Sequence, residues 1–503
     1  MATSNAYPKL AAPTADGELL LWPEPHEMLR QTWENHRQLR EQAEVKLAGV
    51  PLGRLRGWLR RWIGHHEDGR PIIANGHQTE LYHPGVWVKN VVVDAAARRI
   101  GGVAVHFAVD TDAPKHLQYK WPGAAQVLTD DPAVLSARWS ALVQGPSPGH
   151  VETMKRQVNA AAAAWGYSPA WDEFFGSLGE MAGKGGDLST VLTSAHLAAD
   201  RALGLRHQAL VVSPLWRTTA YLVFVYDICS RAGEYAANYN SALAEFRRSH
   251  GILSPGRPMP DLAADGNSCE VPFWLDNLTD GSRKRADLVY QDGRWTLVGQ
   301  ERDFAFEASC KEGWSAAEQL GKWLDDHKLR LSPRALTLTT FLRVLVVDQF
   351  VHGIGGGLYD QVTDRLIAAC YSIRPPAFAV STATLYFPTA AGRGRVDLGP
   401  LIREGRRLRQ DVLGERKREL ARQIAQSPRG SGERMTLFMQ MHRDLDQARQ
   451  GNVLLEDWQR RFDEATRELQ LDGQVFDREL PYTLQSKSRL EALMGRVNDR
   501  VGL

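Results

Sequence analysis

With 503 residues, 43% of them apolar, the chain can bury a large core, and at roughly 100–200 residues per domain its length allows about three units. Its 61 basic and 59 acidic residues leave no global field to hold a polyanion, so nucleic acid is not an expected partner and any charged ligand must be met locally. No run of about 18 apolar residues occurs, Met1 to Pro13 has no signal pattern, and Cys229, Cys269, Cys310 and Cys370 form no C-x-x-C pair; the expectation is a cytoplasmic protein without membrane span or disulfide framework, its cysteines serving as small buried hydrophobes.

Residues 1–70 read as a helical lead-in, with Leu29, Trp33, Leu39, Leu47, Leu52, Leu55, Trp58, Leu59 and Trp62 at the spacing of a face packed on a core. Pro71 to Gly76 is a short apolar run into glycine, followed by a helix-like stretch from Val86 to Ala97, which is the first half of a βαβ unit. Val103 to Val109 lacks alternation, as a strand covered on both faces should, and ends in Asp110-Thr111-Asp112. After a helix-like segment from Leu188 to Leu205, a third run, Ala209 to Val212, ends in Ser213-Pro214. Ala377 to Val380 is a weaker fourth candidate. Such runs separated by helices predict an α/β fold with a doubly wound parallel sheet, whose ligands sit beyond the carboxyl ends of the strands.

At about 255–300 the pattern changes to short alternating runs, Val271 to Leu275 and Ala286 to Tyr290, broken by Asp280-Gly281 and Asp292-Gly293; this predicts a small antiparallel insertion, and the core is expected to span 71–400 around it. Thr337 to Phe350 reads as a helix. Over 401–475 the spacing predicts two long helices joined by the Ser427–Gly432 turn. Phe438, Met441, Leu445, Ala448, Asn452, Leu455, Trp458, Phe462, Ala465 and Leu469 form a seam expected to be a coiled coil serving as core or partner surface. Residues 476–503 are expected to return to the core.

Chemistry concentrates at the first strand-to-helix turn, where Gly76, His77, Gln78, Glu80, His83, Gly85, Lys89 and Asn90 place two imidazoles, a carboxylate and an amine around two glycines. Glycines let backbone approach a ligand, a helix N-terminus offers N–H groups to phosphate, and imidazoles can donate to developing charge; a capped structural turn is the alternative. Asp110 and Asp112 sit on alternate positions and could grip an amine, bind a cation or orient a histidine, or simply form a turn. His352-Gly353-Ile354-Gly355-Gly356-Gly357-Leu358-Tyr359-Asp360 permits close approach of a ligand, without the lysine and serine of a phosphate loop; a bend between packed helices is the alternative. No metal ligand set is assigned.

The order of these segments resembles the putative cysteine ligases of bacillithiol biosynthesis. Their Gly-Gln-Gln-x-Gly-Leu-x-x-Gly-Pro-Leu-Tyr-x-x-x-Lys segment is similar to the stretch from Gly76 to Lys89, and later segments resemble Asp110-Thr111-Asp112, Ser213-Pro214, Leu331 to Leu336 and Gly353 to Asp360. The resemblance implies a Rossmann-like core with a connective insertion, a coiled-coil hairpin used for homodimerisation, and condensation of cysteine with a glucosaminyl-malate acceptor. Here His77 stands for a Gln, Glu80 for a Gly, and Asp110-Thr111-Asp112 lacks the family's histidine.

Three readings follow. The first is a ligase or transferase that joins an amino acid, cysteine among the candidates, to a small acceptor, with ATP or ADP involved. His77, His83, Asp110 and Asp112 would then be catalytic, while Gly76, Gln78, Glu80, Gly85, Lys89, Asn90, His352, Gly355, Gly356, Tyr359 and Asp360 would bind substrate or nucleotide. The second is a noncatalytic sensing or assembly protein relying on the coiled coil. The third is a metal-dependent hydrolase using His77, His83, Asp110 and Asp112.

Overall fold

The computed structural model describes residues 7–64, 69–257, 259–297, 303–307, 312–390 and 394–503. Two compact units emerge, one formed by 1–385 with 478–503, the other by 386–477.

The first unit is organised by a six-stranded sheet: β1 (Leu19–Trp22), β2 (Ile72–Gln78), β3 (Val103–Val109), β4 (Gln208–Val211), β5 (Gln349–His352) and β6 (Ala379–Ala383). Its order is β1-β6-β5-β2-β3-β4, and only β1 runs antiparallel, against β6. From β2 the chain continues to β3 and β4 on one side, and from β5 to β6 on the other, so the direction of growth reverses between β2 and β5. In register, His77 pairs with Ala108, Gln78 with Val109, and Val351 with Asn75, which brings three strand ends to one rim.

The strands β1 and β5 have no counterpart in the sequence reading. A helix does begin at Ala335, but it ends at Phe341 and passes through a π turn over Leu342–Val346. Asp348 then stops it: the buried carboxylate accepts from Arg56 Nη2 at 2.6 Å, Arg60 Nη1 at 2.9 Å and Ile72 N at 2.7 Å, which lines up the next four residues beside β2. The lead-in buries Met28, Leu39, Leu52, Leu55 and Leu59 through the helices Pro25–Glu41 and Leu52–Trp62, whereas Trp33 and Trp62 face outward.

A separate antiparallel sheet contains Ser268–Asn277, Arg283–Gln291, Arg294–Leu297, Phe304–Phe306 and Leu329–Pro333, so it reaches well past residue 300. Gly281, Asp292 and Gly293 take positive φ at its hairpins, the left-handed conformation such turns demand. Its inner face, with Val271, Phe273, Leu275 and Leu288, joins one apolar core with Tyr221, Phe224 and Phe341. Cys229, Cys269 and Cys370 are buried and unpaired; Cys310 lies outside the described residues.

Among the described residues the second unit holds four α-helices, Gly399–Asp411, Glu415–Gln426, Gly432–Arg449 and Val453–Val475, where two long ones were expected. Gly414 and Gly451, both at positive φ, interrupt them. Asn452 lies in no seam: its Oδ1 accepts from Leu454 N at 3.1 Å and Leu455 N at 3.2 Å, capping the last helix. Trp458 packs on Gly405, where a Cβ would lie 2.3 Å from the ring. Residues 478–503 belong to the first unit, and Lys487–Val501 packs on the helix Pro84–Ile100. No helix among the described residues is long and apolar enough to cross a membrane.

Candidate functional site

A cavity of about 530 Å³ opens at the carboxyl end of β2, walled by His77, Gln78, Glu80 and His83, by His116, Lys120 and Gln118, and by Glu479 and Pro481. Glu80 organises it. Its side chain is buried, His77 Nδ1 lies 3.2 Å from Oε1, and His116 Nδ1 lies 2.9 Å from Oε2. An ionised carboxylate only accepts, so His116 presents Nδ1–H to it, while His77 donates its own Nδ1–H to Gln78 O at 3.4 Å and keeps Nε2 free to take a proton. Burial pushes the Glu80 carboxyl up, opposed chiefly by His116. Burial, then the charge of Lys89, holds His77 well below the ordinary imidazole range, so this ring is a neutral base.

His83 has the opposite polarity. It caps the helix Pro84–Ile100, its Nδ1 accepting from Gly85 N at 3.1 Å, so the neutral ring carries its proton on Nε2 and is a donor. Burial, then Arg478, lowers it to about 4. The N–H expected to hold phosphate at this helix is thereby used internally. Gly85 is needed for packing, because a Cβ there would lie 2.6 Å from Thr382 Oγ1 and 2.9 Å from Ala383 O.

Lys89 lies behind the cavity and donates to Gly76 O at 3.2 Å. Burial lowers it to about 8, with Glu80 opposing. Asn90 serves a support chain: Asp200 Oδ2 accepts from Asn90 Nδ2 at 2.9 Å, and Asn90 Oδ1 from Asn75 Nδ2 at 3.0 Å. Asn75 Oδ1 meets His106 Nδ1, and Tyr82 OH lies 2.9 Å from His106 Nε2. Because the carboxylate end fixes every donor and acceptor in turn, Tyr82 donates to His106 and is held edge-on against His77, ring centroids 5.7 Å apart.

The other expected residues lie elsewhere. Asp112 Oδ2 accepts from Gln78 Nε2 at 2.6 Å and so positions a cavity residue. Asp110 is 1% exposed and turns away, its Oδ1 accepting from Ser213 N at 2.9 Å. Thus His77 and Asp110 do end adjacent strands, but they do not share a cavity. His352 and Asp360 pair with one another at 2.8 Å beyond β5, and Tyr359 is exposed on the helix that follows. Sequence reasoning missed His116. It stands four residues past Asp112 at φ +47°, a left-handed backbone that a bulky residue seldom adopts, and this strain aims it at Glu80.

Among the described residues no three His, Cys, Asp or Glu side chains are grouped to hold a metal ion. In comparison with known proteins, the chain matches no family model and no curated protein.

Proposed function

We propose that this chain is a group-transfer enzyme, a ligase or transferase that joins an amino acid, with cysteine as the first candidate, to a small acceptor, as in the bacillithiol cysteine ligases it resembles. The observation that carries the reading is the Glu80 carboxylate holding two imidazoles over a cavity of about 530 Å³ with Lys89 behind them. In this reading a carboxyl group activated by ATP is attacked by an amine or thiol whose proton the neutral Nε2 of His77 takes, the phosphate or AMP leaves with the former carboxyl oxygen, and His83 Nε2–H and the Lys89 ammonium meet the negative charge developing on the carbonyl oxygen. His116 fills the role of the family histidine missing from Asp110-Thr111-Asp112. The strand reversal between β2 and β5 fits a doubly wound, Rossmann-like core.

A cytoplasmic setting and a homodimer belong to the same reading. The homodimer draws on the face of Met435, Phe438 and Met439, which the second unit leaves exposed.

The test is product formation. Purified protein is incubated with ATP, cysteine and glucosaminyl malate, then with other amino acids, and the mixture is analysed by mass spectrometry. A condensed product that disappears in His77→Ala and Glu80→Gln supports the reading; its persistence in both variants defeats it.

A further inference from the structure

At the amino end of the sheet, away from the His77 cavity, a second cavity of about 360 Å³ is walled by the helices Pro25–Glu41 and Leu52–Trp62. Helical spacing puts His36 and Arg40 on one wall, and Gly53, Arg56, Gly57 and Arg60 on the other. The two glycines leave the second wall without side chains between its arginines, which is room for a ligand.

The charge of this cavity is one-sided. Its lining holds three guanidinium groups and, among the described residues, no carboxylate. Asp348 compensates from behind, taking Arg56 Nη2 at 2.6 Å and Arg60 Nη1 at 2.9 Å, and both arginine side chains are more than nine-tenths buried. One negative charge against three positive ones leaves an excess of two. Arg56 Nη1 goes to Val344 O at 2.8 Å and Arg60 Nη2 to Arg70 O, but Nε of each has no hydrogen-bond partner among the described residues. The Arg40 guanidinium has neither a hydrogen-bond nor an ion-pair partner among them, and its Nη1 lies 3.8 Å from where a Cβ on Gly69 would stand, in the same lining. His36 adds an unmet polar atom: its side chain is 8% exposed, Nδ1 lies 3.3 Å from Asp348 Oδ2, and Nε2 is buried without a partner. Burial lowers the Arg56 guanidinium and Asp348 opposes this, while the Arg60 charge adds to the lowering, so the two arginines still repel one another.

We propose that this cavity binds a doubly charged phosphoryl group, either free phosphate or that of a small phosphate monoester. Arg56 and Arg60 already converge on one carboxylate, so the excess charge is concentrated, and a phosphoryl dianion carries two charges on one group with oxygens for several N–H forks. The volume is that of a small-molecule site. Ile72, whose N–H also meets Asp348, stands five residues before His77 along β2, roughly 17 Å at about 3.3 Å per residue. A ligand here is therefore out of reach of the His77 cavity, and the site stands whether or not the chain is a ligase.

Calorimetric titration of the full chain tests it, in low-salt buffer at about pH 7.5, where phosphate monoesters are largely dianions. Glycerol 3-phosphate, inorganic phosphate and succinate are titrated in separate runs. Saturable binding of glycerol 3-phosphate is expected. Arg40→Glu should weaken it about tenfold or more; because Arg40 is exposed and unpaired, this variant should keep the thermal midpoint of the wild type. His77→Ala should bind unchanged, and succinate, whose two charges sit on separate groups, should bind about tenfold more weakly or less.

The inference is overturned if neither phosphate binds the wild type at millimolar concentration, if Arg40→Glu binds like the wild type, if His77→Ala loses binding, or if succinate binds as tightly as the phosphates. Tighter binding of glycerol 3-phosphate than of inorganic phosphate upholds the site and assigns it a phosphate monoester. Equal affinity upholds it as a site for free phosphate.

Discussion

Glu80 and His116, 36 positions apart in the chain, meet at 2.9 Å, and the same carboxylate lies 3.2 Å from His77. Replacing Glu80 by Gln keeps the shape but offers one acceptor and one donor where two acceptors stood. His77 keeps its hydrogen bond to Gln78 O, so it is the His116 ring that must turn its lone pair and lose its tautomer where the amide nitrogen replaces Oε2. The transfer rate of Glu80→Gln should fall about 10²-fold or more, the usual size of general acid–base contributions. Nitrogen NMR should show the His116 ring shifting its proton from Nδ1 to Nε2, whereas unchanged spectra and rate would remove Glu80 from the site.

Lys89 gives the fold a signature at alkaline pH. Burial lowers it from 10.5 to about 8, so below pH 8 both folded and unfolded chains hold the proton and its effect is constant. Between pH 8 and 10.5 the unfolded chain binds more protons than the folded one, and stability contributed by this residue must rise with pH, by about 3 kcal/mol across the window. Urea unfolding at steps from pH 7.5 to 10 should show a rise in the wild type relative to Lys89→Met. Parallel curves would place the amine in water.

The acid side behaves alike in sign. His196 stacks on Tyr82 with ring centroids 4.2 Å apart, its Nε2 lies 2.9 Å from Glu80 O, and burial lowers it to about 4. As pH falls from 6.5 to 4 the unfolded imidazole takes a proton that the folded one refuses, so stability drops with pH by about 3 kcal/mol at most from this ring. His83, lowered to about 4 by its own burial, adds to the same slope. Denaturation midpoints of His196→Phe should fall less steeply over that interval than those of the wild type.

The legible parts of this chain were those where one local signal decides. Val103 to Val109, apolar but for His106, and Ile72 to Ala74, which runs straight into a polar glycine-containing turn, carry their signal locally, so the strands and the cluster at His77 could be read directly. β5 could not, because Val344 to Val347 is as apolar as a helix face, and the helix is ended by Asp348 pairing with Arg56 and Arg60, some 290 positions away. His116 escaped for a related reason. Only the left-handed backbone at this residue brings its ring to Glu80, and histidine's preference for that region, though above that of most residues, does not by itself locate a turn. The Gly85 N–H, expected to face a phosphate, instead donates to His83 Nδ1 at 3.1 Å, a capping contact that only the folded chain contains.

Asp110 separates a residue at a strand end from a residue at work. Its Oδ1 accepts from Ser213 N, but Oδ2 is buried with no hydrogen-bond partner among the described residues, and burial raises its pKa despite Ser213 and Arg330. A buried carboxylate short of partners is costly, and an amide of the same shape keeps the Oδ1 acceptor while removing the charge. Asp110→Asn should therefore be as stable as the wild type at pH 7 or more so, by up to about 1 kcal/mol, and should retain ligand binding in the His77 cavity. Asp110→Ala, which leaves Ser213 N without its acceptor, should lose about 1–3 kcal/mol. Denaturation of the two variants side by side decides: if Asn destabilises as much as Ala, the carboxylate is ionised and held by a charge, and Asp110 returns to the list of candidate functional groups.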